Sequence, residues 1–485
     1  MFSPSGEKYI LVAGLGKSGI SAAKFFNNIG YKVVATDINP AQRENPDILA
    51  LEALGVKTET GFHNIATFEN AQMIVASPGI PLDGKYFQRA IEKGIPIRGE
   101  MDIAAEHIKE PIVAITGTNG KTTVTTLISE MLKSSGLKVF TGGNIGTPLI
   151  EYLNQDDQDS KSARGEFSDS TDIIFKPVKN RNYDVVVVEV SSFQLDTAHN
   201  FCPDVALLLN ITEDHLNRYA DFRAYEDSKW SIFSGQNENC HAIINRRIDT
   251  STAFVNKDID FASDLQTHHK NLKEQKIPKD RLSTIKSKIT YFNNADNSEE
   301  IFAAQKKLSK LKGKHNQENI EASILAALCA GASMEGIEAA LKNFRGLAHR
   351  IEYVATISGV DFYNDSKGTN TDATARAVEA FDKNTILIMG GQDKNMDFSV
   401  LKEWLRGRVK KIVLMGEAKD KIYAALYGSC DIIFADNMKN AVSIAFENAV
   451  PGDTVLLSPA CASFDMYLNY AERGEDFTRQ VKNLL

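Results

Sequence analysis

Apolar residues in this chain come in short runs, and most of those runs end on glycine or a small polar residue followed by a helix-like stretch. Residues 9–14 (YILVAG) predict a strand, a glycine turn follows, and the spacing after it predicts a helix through Phe26. Residues 31–37 and 73–77 predict two more strands, the last closing on Ser77-Pro78-Gly79. Strand–helix–strand alternation of this kind builds a parallel sheet with crossover helices. Residues 94–100 read as a turn-rich strand end, and a first boundary falls near residue 105.

A second alternation opens at 111–116, an apolar strand running into a glycine-rich loop and a helix from Lys121 to about Ser134. Residues 184–190 contain unbroken valine at 185–188, the pattern of a strand buried on both faces, and 204–210 predicts another strand. The polar stretch 155–182 has no sustained apolar period and predicts a flexible surface insertion. In the Lys- and Asn-rich segment 256–297 only 288–292 has strand character, and helices follow at 316–330 and on to about Phe344. After Arg345-Gly346 a third alternation places strands at 360–363, 385–389, 411–415, 431–435 and 453–457. The fold class is therefore α/β in three domains, each a mostly parallel sheet flanked by helices. Residues 1–105 are Rossmann-like, 106–346 resemble a P-loop ATPase, and 347–485 are again Rossmann-like.

Composition narrows this picture modestly. A chain of 485 residues with 43% hydrophobic and 24% charged residues is an ordinary multidomain globular composition. The net charge of −8 comes without a dense basic block, which speaks against a nucleic-acid partner. No apolar run reaches the roughly 20 residues that span a bilayer, and the first strand begins too early for a signal segment. Cys202, Cys240, Cys329, Cys430 and Cys461 form no CxxC pair and read as reduced thiols. A cytoplasmic monomeric enzyme is the expectation.

The chemistry sits where strands end. The strand 112–116 runs into Gly117-Thr118-Asn119-Gly120-Lys121-Thr122-Thr123, a loop that aims backbone N–H groups and a helix N-terminus at an anion. Lys121 supplies a charge for the β/γ phosphates and the Thr122 hydroxyl a ligand for Mg²⁺. Ile115 stands where the general P-loop pattern has its first glycine, so the loop is a variant. Gly14-Leu15-Gly16-Lys17-Ser18-Gly19 matches GxGxxG, with Asp37 ending the next strand. That spacing fits a nicotinamide dinucleotide, another nucleotide, or tight strand–helix packing. Glu189 ends the valine strand, well placed to ligate Mg²⁺ beside the phosphate loop. His215 follows another strand end, and Lys229 lies in a helix-like segment; on residue type alone a packed or surface histidine and a surface lysine are the stronger readings. In the third unit the loops 364–370, 390–394, 415–417 and 458–463 gather small residues, Lys and Ser/Thr at strand ends, suited to a carboxylate or nucleotide ligand.

Taken in order, GTNGKTT, EVSSFQL, NITEDHLNRY, GLAHR, NDSKGTN, GGQDK and SPACASFD resemble the Mur ligases, ATP-dependent amide-forming enzymes of peptidoglycan precursor synthesis. The segment Asp365-Ser366-Lys367-Gly368-Thr369-Asn370 resembles the members that add D-glutamate to UDP-N-acetylmuramoyl-L-alanine. Sister ligases usually carry a His-containing segment there. The resemblance implies ATP on Gly117–Thr123 with Asn319, Arg350 and Asp365, and magnesium around Thr122, Glu189 and His215. It implies a carbamylated lysine at Lys229 and catalytic roles for Lys121, His215, Lys229, Arg350, Asp365 and Lys367. Lys17, Ser18, Asp37 and Ser77 match a uridine-diphosphate pocket, and Asn144 a position near the UDP-sugar. Thr369, Lys394, Ser463 and Tyr470 match positions that hold the D-glutamate carboxylates. The alternatives are a sister ligase or folate polyglutamylating enzyme using another amino acid, and, outside the class, a nicotinamide-dependent oxidoreductase built on Gly14–Gly19.

Overall fold

The computed structural model describes residues 8–154, 166–167, 173–174, 183–214, 218–248, 285–293, 302–309, 311, 313–344, 346–381 and 384–484. Most of the stretch 155–182, expected to be an insertion, lies outside the described residues, as does His215.

Three sheets follow one another along the chain, as the three alternations predict. The first is wholly parallel and comprises β1 (Ile10–Ala13), β2 (Val33–Asp37), β3 (Lys57–Thr60), β4 (Met73–Ala76) and β5 (Ile97–Arg98), in the order β3-β2-β1-β4-β5. The helix Lys17–Asn28 turns Ala22, Ala23, Phe25 and Phe26 into the core against this sheet. Ala13 registers with both Thr36 and Ala76, so the loops after β1, β2 and β4 open on one edge, where the strand order reverses. Ligands of open parallel sheets bind at that kind of edge.

The second sheet runs β13-β12-β11-β6-β10-β7, all parallel. Its strands are β6 (Ile112–Thr116), β7 (Val139–Gly143), β10 (Val185–Glu189), β11 (Val205–Leu208), β12 (His241–Asn245) and β13 (Lys288–Phe292). A short ribbon of β8 (Glu166–Phe167) and β9 (Ile173–Ile174) interrupts the chain order. The valines of β10 are buried on both faces, because β6 and β7 flank the strand and helices cover the sheet. The helices Lys121–Ser134, Lys314–Cys329 and Met334–Asn343 bury Leu127, Ile128, Ile324 and Ile337 on one side.

The third sheet is ordered β14-β15-β19-β16-β17-β18, from β14 (Glu352–Ile357), β15 (Val360–Asn364), β16 (Thr385–Gly390), β17 (Val409–Met415), β18 (Asp431–Phe434) and β19 (Thr454–Leu457). Every pairing is parallel except the β14–β15 hairpin at one edge. Among the described residues no helix is long and apolar enough to cross a membrane. All five cysteines are free, although Cys202 and Cys240 are neighbours in space.

Candidate functional site

The second and third sheets turn their loop-bearing ends toward one another, and the phosphate loop lies between them. Gly117 and Gly120 both take positive φ (151° and 88°), which lets the loop bend tightly from β6 into its helix. A Cβ on Gly117 would come 3.0 Å from Leu209, and one on Gly120 would come 2.5 Å from Asn319 Oδ1. Lys121 Nζ donates to the Gly117 and Thr118 carbonyls at 2.8 and 3.0 Å. The Thr118 hydroxyl lies 3.1 Å from the Tyr225 hydroxyl, and the Asn119 N–H donates to Asn210 Oδ1 at 2.8 Å. Thr123 is buried one residue further into the helix.

Thr122 is the meeting point of the site. Its hydroxyl donates to Glu189 Oε2 at 2.8 Å, while Arg350 Nη2 and Lys367 Nζ each reach Thr122 Oγ1 at 3.2 Å. Asn144 Nδ2 donates to the other Glu189 oxygen at 2.9 Å. Lys229, only 2% exposed, donates to the Gly117 carbonyl at 3.0 Å and stands over the Tyr225 ring. Two basic side chains therefore meet at the Thr122 hydroxyl, and two more, Lys121 and Lys229, are held on the carbonyls of the same loop. Burial holds Lys121 below its ordinary pKa, and it holds Lys229 well below, helped by the charge of Lys121. Burial, with Arg350 next to it, lowers Lys367 to about 8. The Asp365 carboxyl is pushed up to about 7 by burial, against hydrogen bonds from Ser458 Oγ (2.7 Å) and the Ile351 N–H (3.2 Å). Cations desolvated this way favour an anion between them.

A cleft beside the loop is lined by Asn119, His315, Asn316, Asn319, Arg350 and Arg376, among others. Two buried polar atoms in its wall, Arg350 Nε and His315 Nδ1, have no hydrogen-bond partner among the described residues. His315 is kept neutral by burial and the nearby arginines, its pKa lowered to about 4.

The loops of the third sheet are tied into one surface. Ala460 N–H donates to Gly368 O, Gly390 N–H to Pro459 O, and Gln392 and Ala462 exchange a pair of backbone bonds. The buried guanidinium of Arg473 crosses beneath them, donating to Ser366 Oγ and O and to the Cys461 and Ala462 carbonyls. Thr369 and the buried Ser463 stand on these loops. The Tyr470 ring is 5.0 Å from Lys367 Nζ, and Lys394 Nζ is 3.5 Å from Asp214 across the gap to the second sheet.

The first sheet carries the remaining expected residues at its own open edge. Lys17 is exposed and Ser18 half-buried in the first helical turn. Asp37 accepts the Leu15 and Asn39 N–H groups at 2.7 and 2.8 Å, and the Ser77 hydroxyl donates to the Gly14 carbonyl at 2.8 Å. Much of the GxGxxG pattern is thus used for packing: a Cβ on Gly19 would fall 1.8 Å from the Gly14 carbonyl oxygen. Asn144 is held at Glu189, beside the phosphate loop.

Sequence reading missed several residues in these places. His315 and Asn316 share a helix end with Asn319, a spacing that could have flagged them. Glu100, Arg218 and Arg473 gave no local signal, because their partners are remote in sequence; Asp372 and Arg376 form a local i,i+4 pair, and only their further partners Asn119 and Glu318 are remote. Among the described residues no three His, Cys, Asp or Glu side chains cluster as a metal cage. Thr122 and Glu189 nevertheless offer adjacent oxygen donors of the hard kind Mg²⁺ takes alongside phosphate oxygens.

Three family descriptions match successive parts of the chain: the Mur ligase MurD-like N-terminal domain over residues 8–99, the Mur ligase middle domain over 115–327, and the Mur ligase glutamate ligase domain over 349–461. A UDP-N-acetylmuramoylalanine--D-glutamate ligase from Desulfosudis oleivorans is 44% identical, with 99% of this chain and 97% of that one covered. Another of that name from Koribacter versatilis is 38% identical over 98% of both chains. Among solved structures, the MurF ligase of Thermotoga maritima in complex with ADP superposes with a TM-score of 0.54 at 14% identity, covering 100% of both chains. The UDP-N-acetylmuramate-alanine ligase MurC of the same organism gives 0.54 at 14%, covering 98% of this chain and 100% of that one. At those identities the structures speak for the fold alone.

Proposed function

This chain belongs to the Mur ligase family, and from that premise we propose that it joins D-glutamate to UDP-N-acetylmuramoyl-L-alanine, with ATP cleaved to ADP and phosphate, in cytoplasmic peptidoglycan precursor synthesis. The observation that carries the reading is the convergence of Lys121, Lys229, Arg350 and Lys367 on Thr122 and the phosphate loop. The full-length relatives and the Asp365–Asn370 segment support D-glutamate over another amino acid. In this reading the chain divides near residues 105 and 346 into units for UDP-sugar, ATP and amino acid, and works as a monomer.

The ATP phosphates rest on Gly117–Thr123, and the adenosine lies in the cleft with His315, Asn316, Asn319 and Arg350. Thr122, Glu189, His215 and Lys229 are the residues that would hold Mg²⁺, which when bound offsets phosphate charge. The alanyl carboxylate attacks the γ-phosphorus, forming an acyl phosphate and releasing ADP. The D-glutamate amine then attacks the acyl carbon, a tetrahedral intermediate forms, and phosphate leaves as the amide closes. Lys121 and Arg350 stabilise charge on the transferring group, Lys367 holds the third unit against it, and Asp365 lines the cleft with Arg350. Lys17, Ser18, Asp37, Ser77 and Asn144 bind the UDP-sugar side; Thr369, Lys394, Ser463 and Tyr470 hold the amino-acid carboxylates.

Lys229 is proposed to carry a carbamate. Burial that depresses its pKa leaves the free amine available to add CO₂ with loss of a proton, and the product puts an anion where a neutral amine stood. Carbon-13 NMR of protein equilibrated with labelled bicarbonate should show a carbamate signal that Lys229→Ala lacks. The function itself is tested by phosphate release with UDP-N-acetylmuramoyl-L-alanine and ATP across a panel of D- and L-amino acids. Turnover confined to D-glutamate is expected; turnover with another amino acid, or none, would reject the assignment.

A further inference from the structure

The helix Thr371–Glu379 carries two charges toward the boundary between the second and third sheets. Asp372 Oδ2 accepts Asn119 Nδ2 at 2.6 Å and Arg376 Nε at 2.9 Å. On its far side Arg376 Nη1 lies 3.9 Å from Glu318 Oε2, and the other Glu318 oxygen pairs with Arg247 Nη1 at 2.9 Å. Asn119, Glu318 and Arg247 stand on elements of the second sheet's unit; Asp372 and Arg376 stand on the third. A chain of hydrogen bonds and charges thus crosses from one unit to the other at the lip of the cleft, whose wall includes Asn119 and Arg376.

By itself the Asp372–Arg376 pair would be an ordinary i,i+4 ion pair that does little more than support its own helix. Two features argue for more. Asp372 and Arg376 are only 24% and 26% exposed, so neither side chain is a freely solvated surface charge. Each also spends its second contact across the boundary rather than on its own helix. The main chain of Asn119 is already fixed by its own unit, through Asn210 Oδ1 on its N–H and Asn210 Nδ2 on its carbonyl. Its side chain is what Asp372 adds, and that side chain sits in the phosphate loop two residues before Lys121.

We propose that Asp372 and Arg376 are positioning residues that latch the third unit over the phosphate loop, with Asp372 orienting Asn119 toward the nucleotide and Arg376 anchoring the helix on Glu318. The proposal rests on the nucleotide-ligase reading of the same site. Neither residue meets the reacting atoms in this arrangement, so their effect falls on nucleotide capture and closure before it falls on chemistry.

The test uses the full-length enzyme with one fluorophore on the second unit and one on the third, and steady-state kinetics in parallel. Asp372→Ala and Arg376→Ala are expected to raise the KM for ATP about tenfold, the loss of one charge-assisted contact. They should also lower the population of the closed distance with a non-hydrolysable ATP analogue, while the melting temperature stays near that of the parent protein. Asp372→Asn keeps the acceptor for Asn119, and Arg376→Lys keeps the charge; each should recover most of the loss. Alanine variants with an unchanged KM and unchanged closure would overturn the latch. So would losses that follow the melting temperature and resist the conservative variants, because those describe a merely structural pair. If the parent protein closes on the ATP analogue yet releases no phosphate with the amino-acid panel, the ligase reading fails while the closure measurement still judges the latch.

Discussion

At the scale of single residues the site is a problem in unpaired charge. Lys121 is drawn back onto the Gly117 and Thr118 carbonyls, so its ammonium is satisfied by dipoles rather than by a carboxylate. A cation held this way is preorganised for a phosphate, and removing one such charge typically costs about 10²–10³ in rate. Lys121→Ala is therefore expected to lower kcat/KM by roughly that factor while circular dichroism and melting stay close to the parent protein. A variant keeping a tenth of the activity would remove Lys121 from the reaction. Glu100 poses the opposite case, a buried carboxylate whose pKa is raised by burial from 4.5 to about 7, against hydrogen bonds from the Ile150 N–H and Ser18 Oγ. The folded protein then holds more protons than the unfolded chain between those values, so this group's contribution is full below the unfolded pKa and fades as pH rises toward 7. The shift corresponds to about 3 kcal/mol. Melting curves from about pH 5 to about pH 8 should show Glu100→Gln gaining on the parent protein as pH rises; a constant difference would rule the explanation out. Lys121 and Thr122 were legible because glycines and a helix start announce a phosphate loop. Glu100 and Arg473 were not, because a buried charge acquires its meaning from partners that only the fold brings near.

At the scale of elements, legibility followed the apolar run more than the place in the sheet, since the edge strands β13 and β18 were marked as well. The central strands β1, β6, β10 and β16 are buried throughout and show as apolar runs. The pattern did not mark β3, β7 and β14, each at the edge of its sheet, or β12, which lies inside the second sheet. β3 reads Lys-Thr-Glu-Thr, and β14 is half-exposed over most of its length. An edge strand is held by backbone hydrogen bonds to one neighbour and needs fewer apolar side chains. The glycine loop of the first sheet shows how an element-level constraint resembles a ligand motif. Gly19 lies where the helix Lys17–Asn28 crosses β1, and an added Cβ would fall 1.8 Å from the Gly14 carbonyl oxygen and 2.8 Å from Ser77 Oγ. Gly16, in the same motif, has nothing within 4 Å of that position and an ordinary φ of −74°. Gly19→Ala is accordingly expected to destabilise the first unit by on the order of 3 kcal/mol through forced displacement of helix from strand. Gly16→Ala should leave stability within about 0.5 kcal/mol. Denaturant melts of the two variants give the comparison, and equal effects would mean that packing does not explain the motif.

At the scale of the whole molecule the two boundaries between units are built differently. The first and second units meet through groups that need no ligand: the Arg218 guanidinium on the Gly79 and Ile80 carbonyls, and Glu100 accepting from Ser18 on one side and Ile150 on the other. The second and third meet around the phosphate loop, through Arg350 and Lys367 on Thr122, Lys394 and Asn370 on Asp214, and Asp372 on Asn119. Three of those five contacts bring a cation of the third unit, Arg350, Lys367 or Lys394, to the second, so a bound polyanion would strengthen the second boundary far more than the first. Hydrogen exchange separates the two. Saturating ATP with Mg²⁺ is expected to protect residues 117–123 and the facing loop 365–372 together, by about 2.7 kcal/mol at a hundredfold excess over Kd. Under the same conditions residues 14–19 and 77–79 should exchange as they do without nucleotide, and gain protection when the UDP-sugar substrate is added. Protection confined to 117–123 would mean that nucleotide binds without drawing the third unit in. The loops tied together by Arg473, proposed to hold the amino acid, would then have no route to the phosphate loop.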